Sequence, residues 1–497
     1  MTLLGLLDRG APGHPAIVVP DGPTLSYRDL REAVAREVDA LARLGFGRDD
    51  RIALALPQGP EAIVAFLAAA HVGAAAPLNL ALSESEFHRS LEDVNAAALV
   101  VRPNVGPRPL RGRPGRTLVV ETTLGADRPL RPRGAVPLPG AGSATVPGSD
   151  AVALVLHSSG TTGRPKRIAL THRNVQASIE QIVRTCRLGP DDVSLTVMPL
   201  FHVHGLVAGV LAPLSVGGTI ILPERFAPTA FTTLVRTHGV TWCTAVPTML
   251  ALIVARGARG DDPPLPTLRF LRSASLRLPE PTRLRLIERF GVEVIEAYGM
   301  TEAAHQIASN PRRPGAQKPG TCGRPTGVEL SAMDPQGRLL PPGAEGEIVI
   351  RGPNVITRYD DNPEADAAAF RDGWFRTGDL GRVDAEGYVT LVGRLKELIN
   401  RGGEKIAPGE VDAVLLEHPA VAEAVCFGVP HPTWGEEVAA AVVLSGPADV
   451  QDILRHCRER LAAFKVPKRL HIVSALPRTA TGKIQRGHVA LSIRDAA

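Results

Sequence analysis

The most informative segment of the chain reads Leu154-Val155-Leu156-His157-Ser158-Ser159-Gly160-Thr161-Thr162-Gly163-Arg164-Pro165-Lys166. Its first residues are apolar and typical of a buried β-strand, and those that follow are small, hydroxylic or glycine. Glycines allow backbone N–H groups to turn inward, and hydroxyl groups add further hydrogen-bond donors. The segment therefore predicts a strand followed by a phosphate-binding loop that ends in a lysine.

This loop lacks the spacing of a Walker A motif, so a nucleic-acid motor of that type is not predicted. A flexible polar turn is the alternative interpretation of a single glycine-rich loop. The density of hydrogen-bond donors and the position of Lys166 favour phosphate binding.

Outside the loop, short β-branched runs alternate with longer helical patterns. Strands are predicted at Ala16–Val19 and Arg51–Leu56, and helices at Tyr27–Leu44, after Ser26, and at Pro60–Ala75. Such alternation predicts an α/β architecture with mostly parallel sheets.

From Gly320 the pattern changes to short strands and Pro/Gly turns, which predicts a β-rich subdomain, and an α+β pattern follows Arg394. We therefore expect a large N-terminal domain of mixed α/β layers over residues 1–393, a connection at 394–396, and a small α+β C-terminal domain over 397–497.

Composition excludes several classes of protein. The 497 residues carry a net charge of +5 and 4% aromatic residues, which does not indicate nucleic-acid binding. Five cysteines without a CxxC pair favour a reducing cytoplasm over a disulfide scaffold or zinc site. The uncharged stretch 193–223 contains prolines, histidines and a Gly-Gly pair, so we expect a buried strand–helix–strand and no membrane span.

Lysine is scarce in this arginine-rich chain and occurs only at positions 166, 318, 396, 405, 465, 468 and 483. Arginine and lysine are interchangeable on a solvated surface, but not where a compact charge must reach one oxygen. The remaining lysines are therefore candidate functional residues.

Five further segments, together with the loop, resemble the motifs of the adenylate-forming superfamily, which includes acyl-CoA synthetases. They occur in the family's order and are Tyr298-Gly299-Met300-Thr301-Glu302, Trp374–Asp379, Gly393–Glu397, Asn400–Lys405 and Thr479–Ile484. The resemblance implies an enzyme that uses ATP and Mg²⁺ to adenylate a small-molecule carboxylic acid, releases pyrophosphate and transfers the acyl group to coenzyme A. It also implies a mobile C-terminal domain. We expect a cytoplasmic monomer or homodimer.

The resemblance assigns nucleotide-binding roles residue by residue. Lys483 would reach the acyl carboxylate and the α-phosphate, and His202 would line or gate the acyl tunnel. Glu302 would bind magnesium, together with Thr161 of the loop. Asp379 would accept hydrogen bonds from the ribose. Tyr298 would pack on adenine. The other residues that the resemblance assigns to nucleotide binding are Ser158, Ser159, Gly160, Thr161, Thr162, Gly163, Lys166, Gly299, Thr301 and Arg394.

For the second half-reaction, the resemblance implies rotation about a hinge at Lys396. Rotation would replace the Lys483 face by a face containing Gly402 and Gly403, where the absence of a Cβ would let the pantetheine chain pass. A surface lysine paired with Glu397 is the alternative interpretation of Lys396.

Three segments are most similar to the oxalate–CoA ligase group: Met198–Leu206, Ala297–Asn310 and Lys396–Lys405. With the further segment Arg272–Leu278, which departs from the group's pattern, the resemblance implies an acyl pocket that contains His204, His305, Ser275, Arg277 and Asn310. The two histidines could each donate to a second carboxylate. In an ungapped comparison Arg277 stands where the group has serine, so it is a carboxylate clamp or a solvent-facing residue, or the register of the comparison has slipped. Gly299 replaces an expected alanine. Malonate, a medium-chain acid or an aryl acid are alternative substrates, and a non-catalytic ATP-binding relative is an alternative of another class.

Overall fold

The computed structural model describes residues 2–103, 117–124, 130–132, 145–157, 166–256, 265–313, 315–479 and 484–494. Within these residues the strands form four sheets, of nine, seven, five and five strands. Helices pack against the two large sheets and share one hydrophobic cluster with them. The α/β class expected from the sequence is confirmed.

The nine-stranded sheet carries most of the groups discussed below. In spatial order it consists of Arg324–Pro325, His305–Ser309, Glu293–Met300, Phe270–Ala274, Trp242–Ala245, Val193–Thr196, Thr219–Ile221, Pro15–Val18 and Thr24–Ser26. The strands from Glu293–Met300 to Pro15–Val18 run parallel. Their carboxyl ends therefore meet at one edge, where α/β sheets usually bind ligands.

The seven-stranded sheet is also parallel except at its edges. Its spatial order is Leu130–Pro132, Leu118–Thr122, Ala98–Val101, Arg51–Ala55, Ala74–Pro77, Val152–His157 and Arg167–Thr171. The last two strands are antiparallel neighbours, and His157 pairs with Arg167. The predicted phosphate loop is therefore the connection of a β-hairpin.

The two smaller sheets lie later in the chain, as the change in sequence pattern predicts. One contains Glu329–Met333, Glu345–Arg351, Trp374–Val383, Phe370–Arg371 and Val389–Arg394, all antiparallel. The other contains Glu404–Ile406, Ile399–Arg401, Gly435–Leu444, Val421–His431 and Arg469–Ile472. The second sheet packs around its own hydrophobic cluster. The exact domain boundary at 394–396 stays a prediction.

The α-helices among the described residues are Tyr27–Arg43, Pro60–Val72, Glu84–Val94, His172–Cys186, Ala212–Leu214, Phe231–His238, Pro247–Arg256, Glu280–Phe290, Pro363–Ala369, Pro408–Glu417, Val450–Arg460 and Arg486–Arg494. A π-helix spans His204–Leu211. The short 3₁₀ segments are Leu4–Arg9, Pro228–Ala230, Thr301–Ala303 and Leu395–Glu397.

The helix at Tyr27–Arg43 begins as predicted, because Ser26 and Asp29 form a capping box. The helix predicted over Pro60–Ala75 instead ends at Val72, and Ala74–Pro77 is a strand. A Cβ at Gly73 would lie 2.3 Å from the Asp50 carbonyl oxygen, so glycine permits this sharp transition. An alanine-rich sequence does not show that boundary, because alanine favours helix.

The uncharged stretch 193–223 folds as expected. It contains the strands Val193–Thr196 and Thr219–Ile221 with the π-helix and the short helix Ala212–Leu214 between them. Among the described residues, no helix has both the length and the apolar character needed to cross a bilayer.

Candidate active site

Two of the predicted acyl-pocket residues lie at the edge where the parallel strands end. The rings of His204 and His305 are both buried and stack with centroids 4.8 Å apart and planes 21° apart. His204 Nδ1 lies 3.1 Å from Ser275 Oγ, and its Nε2 lies 2.6 Å from Thr244 Oγ1. The structure therefore brings His204, His305 and Ser275 together, as predicted from three separate segments.

A buried arginine that the sequence analysis did not select completes this group. Arg272 has 0% exposure, and its Nη1 donates to Thr244 Oγ1 and to His305 Nε2, each at 3.1 Å. Among the described residues it forms no ion pair, and its Nε has no hydrogen-bond partner. Burial lowers its pKa, although arginine stays charged under ordinary conditions. An uncompensated buried charge of this kind fits an anionic ligand.

His305 faces this arginine as a neutral ring. Burial and the positive charge of Arg272 hold the pKa of His305 well below its usual range. Neutral Nε2 can accept from Arg272, which leaves Nδ1–H as the donor. The backbone φ of His305 is 108° and that of Ser275 is 77°, so both lie in the left-handed region that L-residues rarely adopt.

The packing around His305 leaves no room for a side chain at position 299. A Cβ at Gly299 would lie 1.7 Å from the His305 carbonyl oxygen, which no ordinary packing permits. Glycine at this position therefore permits the close approach of the strands Glu293–Met300 and His305–Ser309. It does not place Gly299 in contact with a nucleotide.

Two predicted acyl-pocket residues do not join the group. Arg277 is exposed, and among the described residues it forms no hydrogen bond or ion pair. Burial raises the pKa of the nearby Glu296 to about 7, and the charge of Arg277 opposes that rise only in part. Of the interpretations of Arg277, the structure supports the solvent-facing one. Asn310 is buried, but its amide binds the Thr321 carbonyl and the Lys318 N–H, so it holds a loop.

His202 lies before the π-helix and is half-buried. Its Nδ1 accepts from the backbone N–H of His204 at 3.2 Å, and its carbonyl accepts from Leu206 N–H at 2.9 Å. It therefore orients the start of the π-helix. Gly205 permits the turn, since a Cβ there would lie 2.2 Å from the Pro199 carbonyl oxygen.

The predicted ribose and adenine residues form a second group. Tyr298 is buried and donates to Asp379 Oδ2 at 2.5 Å, while Arg394 Nε lies 2.7 Å from Asp379 Oδ1. Burial, and then the charge of Asp379, raises the pKa of Tyr298 well above its ordinary value. A carboxylate offers about four acceptor sites, so Asp379 can accept further hydrogen bonds. Whether the Tyr298 ring packs on adenine stays a prediction.

Glu302 lies in the 3₁₀ turn that begins at Thr301, next to this second group. Its carboxyl is buried and accepts from the Tyr359 hydroxyl at 3.1 Å. Burial raises the pKa of Glu302, which is the cost of a carboxylate held away from water. The Lys166 ammonium lies 4.4 Å from the centre of the Tyr359 ring. Tyr359, which no motif indicated, therefore contacts both the candidate magnesium ligand and the lysine that ends the loop.

The loop itself lies outside the described residues. This applies to Ser158, Ser159, Gly160, Thr161, Thr162 and Gly163, whose roles stay predictions. Lys166 is described, and both Lys166 and Glu302 contact Tyr359. Among the described residues, no three His, Cys, Asp or Glu side chains form a metal-binding cluster. A magnesium ion held by one carboxylate and the phosphates of ATP needs no such cluster.

Lys483 also lies outside the described residues, which end at Thr479 and resume at Ile484. Arg478 and Ile484 form an isolated antiparallel bridge. Arg486, two residues later, places its Nη2 2.7 Å from Asp412 Oδ2 and its Nε 3.3 Å from Glu397 Oε2. Arg486 therefore ties the segment that carries Lys483 to the turn that contains Lys396.

The predicted hinge and coenzyme A residues lie in the same region. Lys396 is exposed in the turn Leu395–Glu397, and burial of its stem and the charge of Arg394 lower its pKa. Gly402 and Gly403 have φ values of 60° and 98° and connect the hairpin strands Ile399–Arg401 and Glu404–Ile406. Space around Gly403 is open, whereas a Cβ at Gly402 would lie 2.7 Å from the Trp434 ring.

Comparison with known proteins assigns the chain to a family. The sequence profile of the AMP-binding enzyme family matches residues 8–360, and that of the AMP-binding enzyme C-terminal domain matches residues 410–483. The chain is 44% identical to probable CoA ligase CCL9 of Humulus lupulus, with 99% of this chain and 96% of that protein covered. It is 42% identical to an oxalate–CoA ligase of Arabidopsis thaliana, with 98% of each covered.

A solved structure also has a similar fold. The crystal structure of ATP-bound MatB from Rhodopseudomonas palustris covers 100% of both chains with a TM-score of 0.87 and 30% identity. The chain belongs to the AMP-binding enzyme family and, within the adenylate-forming superfamily, is an acyl-CoA synthetase that resembles the oxalate–CoA ligases.

Proposed function

We propose that this ATP-dependent acid–CoA ligase acts on a small dicarboxylic acid, with oxalate as the preferred substrate. The observation that carries the proposal is the buried Arg272, which lies beside the stacked His204 and His305. A guanidinium and two imidazoles in a water-poor pocket suit a second carboxylate and disfavour an alkyl chain. The 42% identity to an oxalate–CoA ligase supports the same choice.

In the proposed first half-reaction, one carboxylate oxygen of the acid attacks the α-phosphorus of ATP. The bond to the bridging oxygen breaks, and pyrophosphate leaves with its electron pair. Lys483 would stabilise the charge that develops between the carboxylate and the α-phosphate, while Lys166 and the loop hold the β- and γ-phosphates. Arg272 would hold the second carboxylate. Asp379, with Tyr298 and Arg394 fixed on it, would hold the ribose.

Magnesium, when bound with ATP, would neutralise phosphate charge. The buried carboxylate of Glu302 fits it as a ligand, because a bound cation offsets the cost of burying the charge. In the proposed second half-reaction, the thiolate of coenzyme A attacks the acyl carbon and AMP leaves. The hairpin containing Gly402 and Gly403 would then face the acyl-adenylate.

Substrate choice can be tested by pyrophosphate release with a panel of acids, followed by detection of the acyl-CoA. We expect oxalate to give the highest kcat/KM among oxalate, malonate, acetate, octanoate and benzoate. The same turnover with oxalate as with acetate or octanoate would contradict the dicarboxylate assignment. Absence of pyrophosphate release with every acid would support a non-catalytic ATP-binding relative instead.

The Tyr359 hydroxyl should strengthen magnesium binding. Tyr359→Phe removes the donor to Glu302 and keeps the ring on which Lys166 lies. Loss of a hydrogen bond that orients a metal ligand typically weakens metal affinity about 10- to 100-fold, so we expect the Mg²⁺ concentration for half-maximal adenylation to rise by about tenfold.

A matched control is Tyr388→Phe, which removes a hydroxyl that binds the Ala316 carbonyl. Its Mg²⁺ dependence should equal that of the wild type. Unchanged Mg²⁺ dependence in Tyr359→Phe would show that the Tyr359 hydroxyl does not support magnesium binding.

A further inference from the structure

A cavity lined by arginines lies behind the acyl pocket. Its volume is about 410 Å³, and the arginines that line it are Arg184, Arg187, Arg312, Arg313 and Arg324. They come from three parts of the chain: the end of the helix His172–Cys186, the loop after the strand His305–Ser309, and the short strand Arg324–Pro325. The cavity is separate from the residues assigned to ATP, acid or coenzyme A.

The charge of this cavity is poorly balanced. Glu293 lies 3.0 Å from Arg312, and Glu386 lies 4.0 Å from Arg324 but is also shared with Lys318. Within the described part of the chain, Arg184, Arg187 and Arg313 form no ion pair. A helix C-terminus favours nearby cations, which accounts for Arg184 and Arg187 but not for the others. The excess positive charge fits an anion with more than one negative charge.

The cavity is connected to the acyl pocket through one buried side chain. Gln306 has 0% exposure, and its Nε2 donates to Thr185 Oγ1 at 3.0 Å and to Thr326 Oγ1 at 3.2 Å. Both threonines line the cavity. On its other side, Gln306 Oε1 accepts from Arg272 Nη2 at 2.9 Å. An anion in the cavity would therefore be connected to the proposed acid-binding arginine through two hydrogen-bonded residues, a threonine and Gln306.

We propose that this cavity is an effector site for a small polyvalent oxyanion such as phosphate, and that its occupancy weakens binding of the acid at Arg272. Negative charge near a buried guanidinium lowers the attraction of that guanidinium for a second carboxylate, and the path through Gln306 and Arg272 is buried. The effect on the acid rests on the proposed function, whereas binding of the oxyanion to the cavity does not.

The binding step is tested by calorimetric titration of inorganic phosphate into the protein saturated with ATP and Mg²⁺, so that the nucleotide loop is occupied. Suitable variants are Arg187→Asn, because asparagine tolerates the φ of 51° at this position, and Arg313→Ser. Loss of one charge-assisted hydrogen bond should weaken phosphate binding by about tenfold in each variant. Arg173→Ser, at the other end of the same helix and paired with Asp150, should bind phosphate as the wild type does.

The coupling step is tested by the KM of the acid with and without phosphate. Phosphate should raise this KM in the wild type and in Arg173→Ser, but not in the double variant Arg187→Asn/Arg313→Ser. Competition between phosphate and ATP should be the same in all of them, because the nucleotide loop is unaltered.

Two calorimetric results would overturn the proposal: no heat of phosphate binding in the ATP-saturated wild type, or equal phosphate affinity in the arginine variants and the wild type. A phosphate effect on the KM of the acid that persists in the double variant would also overturn it. If another acid replaces oxalate as the substrate, the calorimetric result is unaffected. Failure of the substrate assignment is therefore distinguishable from failure of the effector site.

Discussion

Replacement of Lys483 by alanine is expected to abolish adenylation while leaving thioester formation from supplied acyl-adenylate largely intact. The first half-reaction brings two anions together, so removing the ammonium that would lie between them should lower the rate of pyrophosphate release by about 100- to 1000-fold or more. The second half-reaction would use the face with Gly402 and Gly403 and needs no charge at position 483. Separate assays of the two half-reactions measure this difference.

The control variant is Lys468→Ala, because Lys468 lies in the same part of the chain and its ammonium binds only the Ala463 carbonyl among the described residues. Both half-reactions should proceed normally in it. Equal loss of both half-reactions in Lys483→Ala would contradict the use of two faces and would point to disruption of the surrounding segment. Arg486, three residues later, keeps its ion pairs with Asp412 and Glu397 in this variant, so we expect the helix Arg486–Arg494 to stay folded.

The sequence predicts those features that depend on local pattern. Capping residues fix the start of the helix Tyr27–Arg43, and apolar runs mark the parallel strands. Likewise, His204, His305 and Ser275 were predicted from three short motifs, and the structure brings them into contact. Each of these residues lies at a boundary of an element: His204 begins the π-helix, Ser275 follows the strand Phe270–Ala274, and His305 begins the strand His305–Ser309.

The residues that sequence analysis missed are those whose contacts come from segments far apart in the sequence. Arg272 lies inside an apolar strand, and only the parallel register places it opposite Thr244 and beside His305. Tyr359 reaches Glu302 across 57 positions of sequence. A signal for Arg272 was nevertheless present, since a charged residue inside the apolar strand Phe270–Ala274 requires a buried partner or a ligand.

The exposed position of Arg277 has the same physical explanation. Arg277 attracted interest because it replaces a serine of the related group, but it follows the strand and is exposed. A substitution between relatives marks a position as different without showing where its side chain points. Arg272 lies within the strand Phe270–Ala274 and carries the buried charge.

Replacement of Arg272 by methionine should therefore have a much larger effect on oxalate than replacement of Arg277 by serine. Removing one partner of a buried charge pair costs about 2–5 kcal/mol, which corresponds to a loss of roughly 30- to 5000-fold in kcat/KM for oxalate. Turnover of acetate, which has no second carboxylate, should not fall. Lysine at position 272 should restore little, because one ammonium cannot reproduce the two Nη contacts to His305 and Gln306.

Thermal denaturation separates this role from a structural one. Methionine removes the cost of burying an unpaired charge, but it leaves buried His305 Nε2 and Gln306 Oε1 without their donor, so we expect the two effects to oppose each other and the Tm of Arg272→Met to stay near that of the wild type. A lower Tm with parallel losses for oxalate and acetate would mean that Arg272 mainly supports the sheet. Retained stability with selective loss of oxalate would mean that its uncompensated charge is reserved for the second carboxylate, because no other described acidic group neutralises it.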